Sequence, residues 1–208
     1  MPLEFLISAL VTLFVVVDPV GLAPTFLAVT QGLSEKQRRE VALRASLIAA
    51  GILFGAAIAG DWLLRQLGIT LPAFRIAGGL LLFAIAFEMV FELRQRRESK
   101  TAEEAVEEHV HHIAAFPLGI PLLAGPGAIT AVILLTGQAG GRPVWLALLF
   151  GVIALVVLAS FVCFCVASRI ARWLGVTGNI VLSRLLGVIL AALAVQYVVD
   201  GVRTALGI

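Results

Sequence analysis

From Val144 to Ser168 the chain runs without one charged side chain. A hydrocarbon core about 30 Å thick is crossed by about 20 apolar residues in a helix. Backbone N–H and C=O groups cannot stay unpaired in lipid, so a run of this kind folds as a helix. Five further segments read the same way, at roughly 4–30, 42–64, 71–93, 113–137 and 179–205, and with 144–168 they use nearly all of the 208 residues. Composition agrees, with 61% hydrophobic and 13% charged residues, where soluble domains carry about 45–50% and about 25%. The expected fold class is an all-α integral membrane protein with six transmembrane helices, and the lipid bilayer is its first partner.

Several classes of function drop out early. A net charge of +2 gives no basic surface for nucleic acid. Glu4 stands where a secretory leader would carry lysines, so the first segment is expected to be kept. Cys163 and Cys165 lie two apart in an apolar run, too close on a helix for a disulfide, and read as small packing residues. G-x-x-x-x-G-K-[ST] is absent, which argues against ATP-driven pumping. G-x-S-x-G, H-E-x-x-H and an intramembrane His pair are absent too, so the chain is not expected to be an enzyme, and no cofactor or metal is implied.

The polar connections set an orientation. Lys36, Arg38, Arg39, Arg44, Arg94, Arg96, Arg97, Lys100, Arg169, Arg172 and Arg184 belong to the first, third and fifth connections. Only Arg65, Arg75, Arg142 and Arg203 fall on the other side. The positive-inside rule then places both termini outside and the long third connection in the cytoplasm. That connection is acidic at Glu103, Glu104, Glu107 and Glu108 and ends in His109, His111 and His112. A metal or pH sensor is the sharper reading of the histidines; a solvated linker is the one adopted, since no partner ligand stands elsewhere.

The chain also repeats itself. "RQLGIT" (65–70) recurs as "RWLGVT" (172–177), each followed by R-x-x-G, Arg75 to Gly78 and Arg184 to Gly187. Two halves follow, 1–100 and 113–208, joined by a cytoplasmic linker at 101–112. Each half holds three spans, an odd number, so consecutive halves insert with opposite orientation, the inverted repeat of many secondary transporters.

The first span of each half is interrupted. "DPVGLAPT" (18–25) puts Asp18, Pro19, Gly21 and Pro24 in the first, and "FPLGIPLLAGPGAIT" (116–130) puts Pro117, Pro121, Gly125, Pro126 and Gly127 in the fourth. Proline removes a donor and drives the residue before it out of the helical region, here Asp18 and Gly125. Each segment is expected to split into two half-helices joined by extended backbone, the second beginning near Val20–Gly21 and near Gly127–Ala128. Broken helices at matching positions are the best sequence pointer to a substrate site. Free N–H groups and the positive helix end suit a carboxylate, and unwound carbonyls suit an ammonium. A small zwitterion fits both; a small anion fits the N–H groups.

Asp18 is an intramembrane carboxylate, a functional candidate by default. It either caps the following half-helix or handles a ligand ammonium or a coupling proton; its repeat position holds Ala124. Thr25, Thr30, Thr130 and Thr136 flank the breaks, either bonding back to the helix or meeting substrate. Arg75 and Arg184 either pair with carboxylates or snorkel. Asp61 and Glu88 read as interfacial, Gln196 needs a hydrogen-bond partner, and Gly51-x-x-x-Gly55 reads as close helix packing.

"DPVGLAPTFLAVT" and "PLLAGPGAIT" resemble the two signature segments of the MarC family of inner-membrane proteins, which includes the small neutral amino acid transporters called SnatA. The likeness runs over the whole chain. It implies the inverted three-plus-three repeat, a distant relation to the lysine-exporter superfamily and, on the SnatA branch, transport of glycine and alanine. The family's motif positions fall on Asp18, Pro19, Gly21, Pro24, Gly125, Pro126 and Gly127. The expected activity is secondary transport of a small neutral amino acid bound among Asp18, Pro19, Gly21, Pro24, Thr25, Gly125, Pro126, Gly127 and Thr130. H⁺ is the expected coupling ion, no Na⁺ cage being recognisable. An exporter or channel for another small solute, or a membrane protein with no transport role, is the alternative. Assembly into a homo-oligomer is left open by the sequence.

Overall fold

The computed structural model describes residues 2–94, 97 and 114–207. The acidic and histidine-containing linker lies outside the described residues. All regular structure among the described residues is helical. Eight helices follow in order: α1 (Pro2–Val17), α2 (Ala23–Val29), α3 (Glu35–Gln66), α4 (Leu71–Val90), the π-helical α5 (Ala114–Leu123), α6 (Pro126–Ala139), α7 (Pro143–Cys165) and α8 (Ala167–Leu206). Four stretches are long and apolar enough to cross a membrane: α3, α4, α7 and the Thr177–Leu206 part of α8. The first and fourth expected spans are each divided in two, as α1 with α2 and α5 with α6.

Local chemistry explains the boundaries. Ser34 starts α3 with a capping box: its Oγ accepts from Gln37 N–H at 3.4 Å, and Gln37 Oε1 accepts from Ser34 N–H at 3.0 Å. Thr70 caps α4 through Ala73 N–H at 3.3 Å, with a proline in the first turn. The repeated motif places a glycine at positive φ in each half. Gly68 (φ 68°) ends the turn after α3, and Gly175 (φ 59°) kinks α8. Both need the left-handed region that glycine enters without strain. Pro117 and Pro121 fall inside α5; a proline has no N–H to give to a regular helical ladder, and the helix winds wider, with Ala124 N–H donating to Gly119 O at 3.0 Å.

α4 packs antiparallel against the 187–201 part of α8, from Pro72 beside Gly201 to Val90 beside Gly187. A Cβ on Gly79 would lie 2.7 Å from both Ala194 O and Val198 Cγ2; one on Gly187 would lie 3.1 Å from Ala86 O and 3.0 Å from Val90 Cγ2. Only glycine lets the backbones come this close, the usual device of helix pairs in lipid. Gly51 and Gly55 do not serve this purpose: nothing lies within 4 Å of either, and they face outward rather than packing inside the chain.

The broken helices lie beside α7 and α3. Phe5 of α1 meets Trp145 at 4.8 Å, and Phe26 of α2 stacks on Phe164 at 4.6 Å. So α1 and α2 run parallel to α7, over a length of about 28 Å at 1.5 Å per residue. α3 likewise packs on both α5 and α6, and α4 packs on α6. The core gathers leucines and alanines from every helix, among them Leu13, Leu53, Leu82, Leu135, Leu149 and Leu190.

Candidate functional site

At the first break α1 stops at Val17, and Asp18 takes the left-handed conformation at φ 51°. The expected extended linker is not formed here. Proline at 19 excludes the right-handed helical region for Asp18, and aspartate is one of the few residues that tolerates the left-handed one. The chain then turns through 19–22 before α2 begins at Ala23. Asp18 is 4% exposed. Its Oδ1 accepts from Gly21 N–H at 3.0 Å, so the capping role is occupied. Pro19 and Gly21 are buried, and Pro24 is exposed on the outside of α2.

The second break is extended. Gly125, at φ −76° and ψ 171°, leads into α6, which starts at Pro126 with no side-chain cap. Gly127 and Ala128 belong to this uncapped first turn, whose N–H groups have no partner within the helix. Just before it, Leu122 and Leu123 end α5, whose last carbonyls are left over in the same way. A negative helix end and a positive one therefore meet at one point.

A cavity of about 250 Å³ opens at that point, lined by Val16, Ile85, Arg94, Arg97, Leu122, Leu123, Gly125, Pro126, Gly127 and Ala128. That is room for a small solute with some water, below the roughly 300–1,000 Å³ of sites for drug-sized ligands. Gly127 is needed for the space, since a Cβ there would lie 2.3 Å from Ile85 Cδ1 and 3.2 Å from Val16 Cγ1. Of the sequence-derived candidates, Gly125, Pro126 and Gly127 line the cavity. Asp18, Pro19 and Gly21 are buried but do not line it, Thr25 and Thr130 are buried in α2 and α6 without lining it, and Pro24 is exposed.

Arg94 joins the two breaks, and sequence reading missed it. It was one of eleven basic residues assigned to cytoplasmic connections, yet it is 7% exposed. Its Nη2 donates to Val16 O at 3.0 Å, and its charge interacts with Asp18. It thus closes the end of α1, where a cation is favoured, and also lines the cavity. Nothing in "LRQRRESK" separates it from its neighbours. Arg97 Nη1 donates to Glu88 Oε1 at 2.8 Å.

Several other polar residues find local partners. Thr30 Oγ1 donates to Phe26 O at 2.7 Å and Thr136 Oγ1 to Val132 O at 2.9 Å, the bonding back along the helix. Asp61 pairs with Arg65 at 2.7 Å, Arg184 pairs with Glu92, and Gln196 Nε2 donates to Asp200 Oδ1 at 2.8 Å. Both cysteines are free thiols.

Comparison with known proteins agrees with this architecture. Residues 3–206 match the model of the MarC family integral membrane proteins. A membrane protein of Archaeoglobus fulgidus is 37% identical over 205 residues, covering 98% of this chain and 95% of its own. One of Aquifex aeolicus is 37% identical over 200 residues, covering 96% and 93%. YhcE of Escherichia coli K12 is 36% identical over 198 residues, covering 92% and 88%. All three carry the designation UPF0056 membrane protein. No solved structure matches the chain. With its helices, its two broken segments and a match from end to end, this chain belongs to the MarC family of integral membrane proteins.

Proposed function

We propose that the chain is a secondary transporter of small neutral amino acids such as glycine and alanine, as its resemblance to the SnatA transporters implies. The observation that carries this is the cavity at the second break. There the uncapped start of α6 and Arg94 favour a carboxylate, while the leftover carbonyls of α5 favour an ammonium. Gly125, Pro126 and Gly127 would hold the solute; Asp18, Pro19 and Gly21 would hold Arg94 and the end of α1 in place behind it. Thr25, Thr130 and Pro24 would shape α2 and α6 around the site. Asp18 would also be the group to carry a coupling proton.

The inverted repeat, 1–100 and 113–208 about the linker 101–112, is supported by reciprocal packing. A shift of 108 residues turns Gly79, Ala86 and Val90 into Gly187, Ala194 and Val198, and the contacts exchange with it. α3 on α5 has its counterpart in α7 on α1, and α4 on α6 in α8 on α2. Such symmetry suits alternating access. Six crossings in the inner membrane, with both termini outside, complete the proposal, and catalysis forms no part of it.

The test is uptake of labelled glycine and alanine into liposomes holding the purified chain, with and without a pH gradient. Saturable uptake competed by unlabelled alanine is expected. A correctly inserted chain that takes up neither would sink the reading. Arg94 and Arg97 at the cavity favour a second one, export of a small carboxylate without an ammonium. Uptake of acetate in place of glycine would select it.

A further inference from the structure

A second polar cluster lies on the same helices, displaced toward the opposite membrane face. Tyr197 of α8 is 4% exposed and Thr12 of α1 is fully buried. The Tyr197 hydroxyl stands among Thr12, Ser8 and Gln138 and within electrostatic reach of Arg75. Yet Tyr197 Oη, Thr12 Oγ1 and Arg75 Nε are buried without a completed hydrogen bond. Buried groups of this kind cost free energy while they stay unsatisfied, so three of them within reach of one another call for an occupant.

The cluster is distinct from the cavity. Arg75 precedes Ile85 by ten residues on α4, and Gln138 follows Gly127 by eleven on α6, about 15 Å along each helix. Three of the helices that line the cavity, α1, α4 and α6, are therefore joined here by α8, one seam with polar groups at two heights. The chemistry of the cluster is one-sided. It has a guanidinium, the buried hydroxyls of Tyr197 and Thr12, the half-buried hydroxyl of Ser8 and an amide, and no carboxylate. Among the described residues none pairs with Arg75; the nearest acidic residue in the facing stretch of α8, Asp200, accepts from Gln196 instead. Water would satisfy the hydroxyls but leave the charge unmatched, whereas a carboxylate meets both needs.

We propose that Arg75, Tyr197 and Thr12, with Ser8 and Gln138, form a second binding station for a carboxylate group, on the far side of the break from Arg94. A solute bearing a carboxylate would then meet a guanidinium at each end of the seam. The station stands on the seam and needs no particular transported solute.

Tyr197 is the only tyrosine in the chain, so it reports alone. The full-length protein is labelled with [13Cζ]tyrosine in lipid nanodiscs and titrated with sodium acetate, with sodium chloride as control. The single resonance is expected to shift saturably with acetate and not with chloride. Arg75→Gln should abolish the shift, Thr12→Val should raise the half-saturating concentration about 2- to 10-fold, and Arg94→Gln should leave the shift in place. No shift with acetate, an equal shift with chloride, or an unchanged titration in Thr12→Val would each overturn the proposal. A chain that shifts with acetate but takes up no glycine keeps the station and loses the amino-acid reading. Glycine uptake without an acetate shift loses the station alone.

Discussion

Gly21→Ala isolates the first break in a single methyl group. Gly21 is not at positive φ, so its backbone admits alanine, and the change alone would stabilise by about 0.4–1 kcal/mol through the unfolded chain. Space reverses the sign. The new Cβ would stand 2.1 Å from Asp18 Oδ2, 2.6 Å from Cγ and 2.8 Å from Oδ1. The carboxylate must swing out, which breaks the 3.0 Å bond from Gly21 N–H. A hydrogen bond to a charged group contributes about 1.5–3 kcal/mol, so a net loss near 1–2 kcal/mol is expected. Unfolding by SDS titration in mixed micelles reads it. In an Asp18→Ala background the clash disappears, and Gly21→Ala should become neutral or slightly stabilising. The coupling between the two sites should then be about 1.5–3 kcal/mol. An equal loss in both backgrounds would show that Asp18 does not hold the turn.

The other predictions address packing, the cavity and the arginines. Gly79→Ala should cost about 1–3 kcal/mol or prevent folding, because its Cβ would press on the backbone oxygen of Ala194 at 2.7 Å; Gly51→Ala, which meets nothing within 4 Å, should be neutral or slightly stabilising in the same titration. Gly127→Val should fill the cavity, leaving insertion intact while labelled glycine uptake falls to background. Arg94→Ala should destabilise by about 1–3 kcal/mol, since Val16 O and Asp18 lose a buried partner, and glycine should not rescue it. Arg184→Ala removes a half-exposed pair with Glu92 and should cost no more than about 1 kcal/mol by SDS titration.

Much of the fold is legible because lipid leaves little choice. Runs of apolar residues must become helices, and expected segments such as 42–64 and 179–205 fall inside α3 and α8. The breaks are legible because proline acts locally. Their geometry is less so: Pro19 and Pro126 both exclude the helical region before them, but Asp18 goes left-handed and Gly125 extended, a choice made by the surrounding turn. The motif R-x-x-G pairs Arg75 with Arg184 at a shift of 109, while the packed glycines run at 108. That offset of one residue turns Arg75 about 100° around α4 relative to its repeat partner; Arg184 reaches Glu92 and Arg75 does not reach a described carboxylate. Gly51 and Gly55 show that a glycine spacing says two helices can approach, not that they do. Arg94 was hidden among identical neighbours, since burial is decided by where the chain goes after α4.

The central claim is that the solute occupies the cavity at the second break. It is tested most directly at Ala128, which lines that cavity in the first turn of α6. With Cys163 and Cys165 replaced by serine, a single cysteine is placed at 128, and its maleimide modification is timed in proteoliposomes. The account predicts modification that alanine slows saturably, over the same concentrations that compete glycine uptake. Modification at one rate with and without alanine, in a chain that still transports it, would contradict the account.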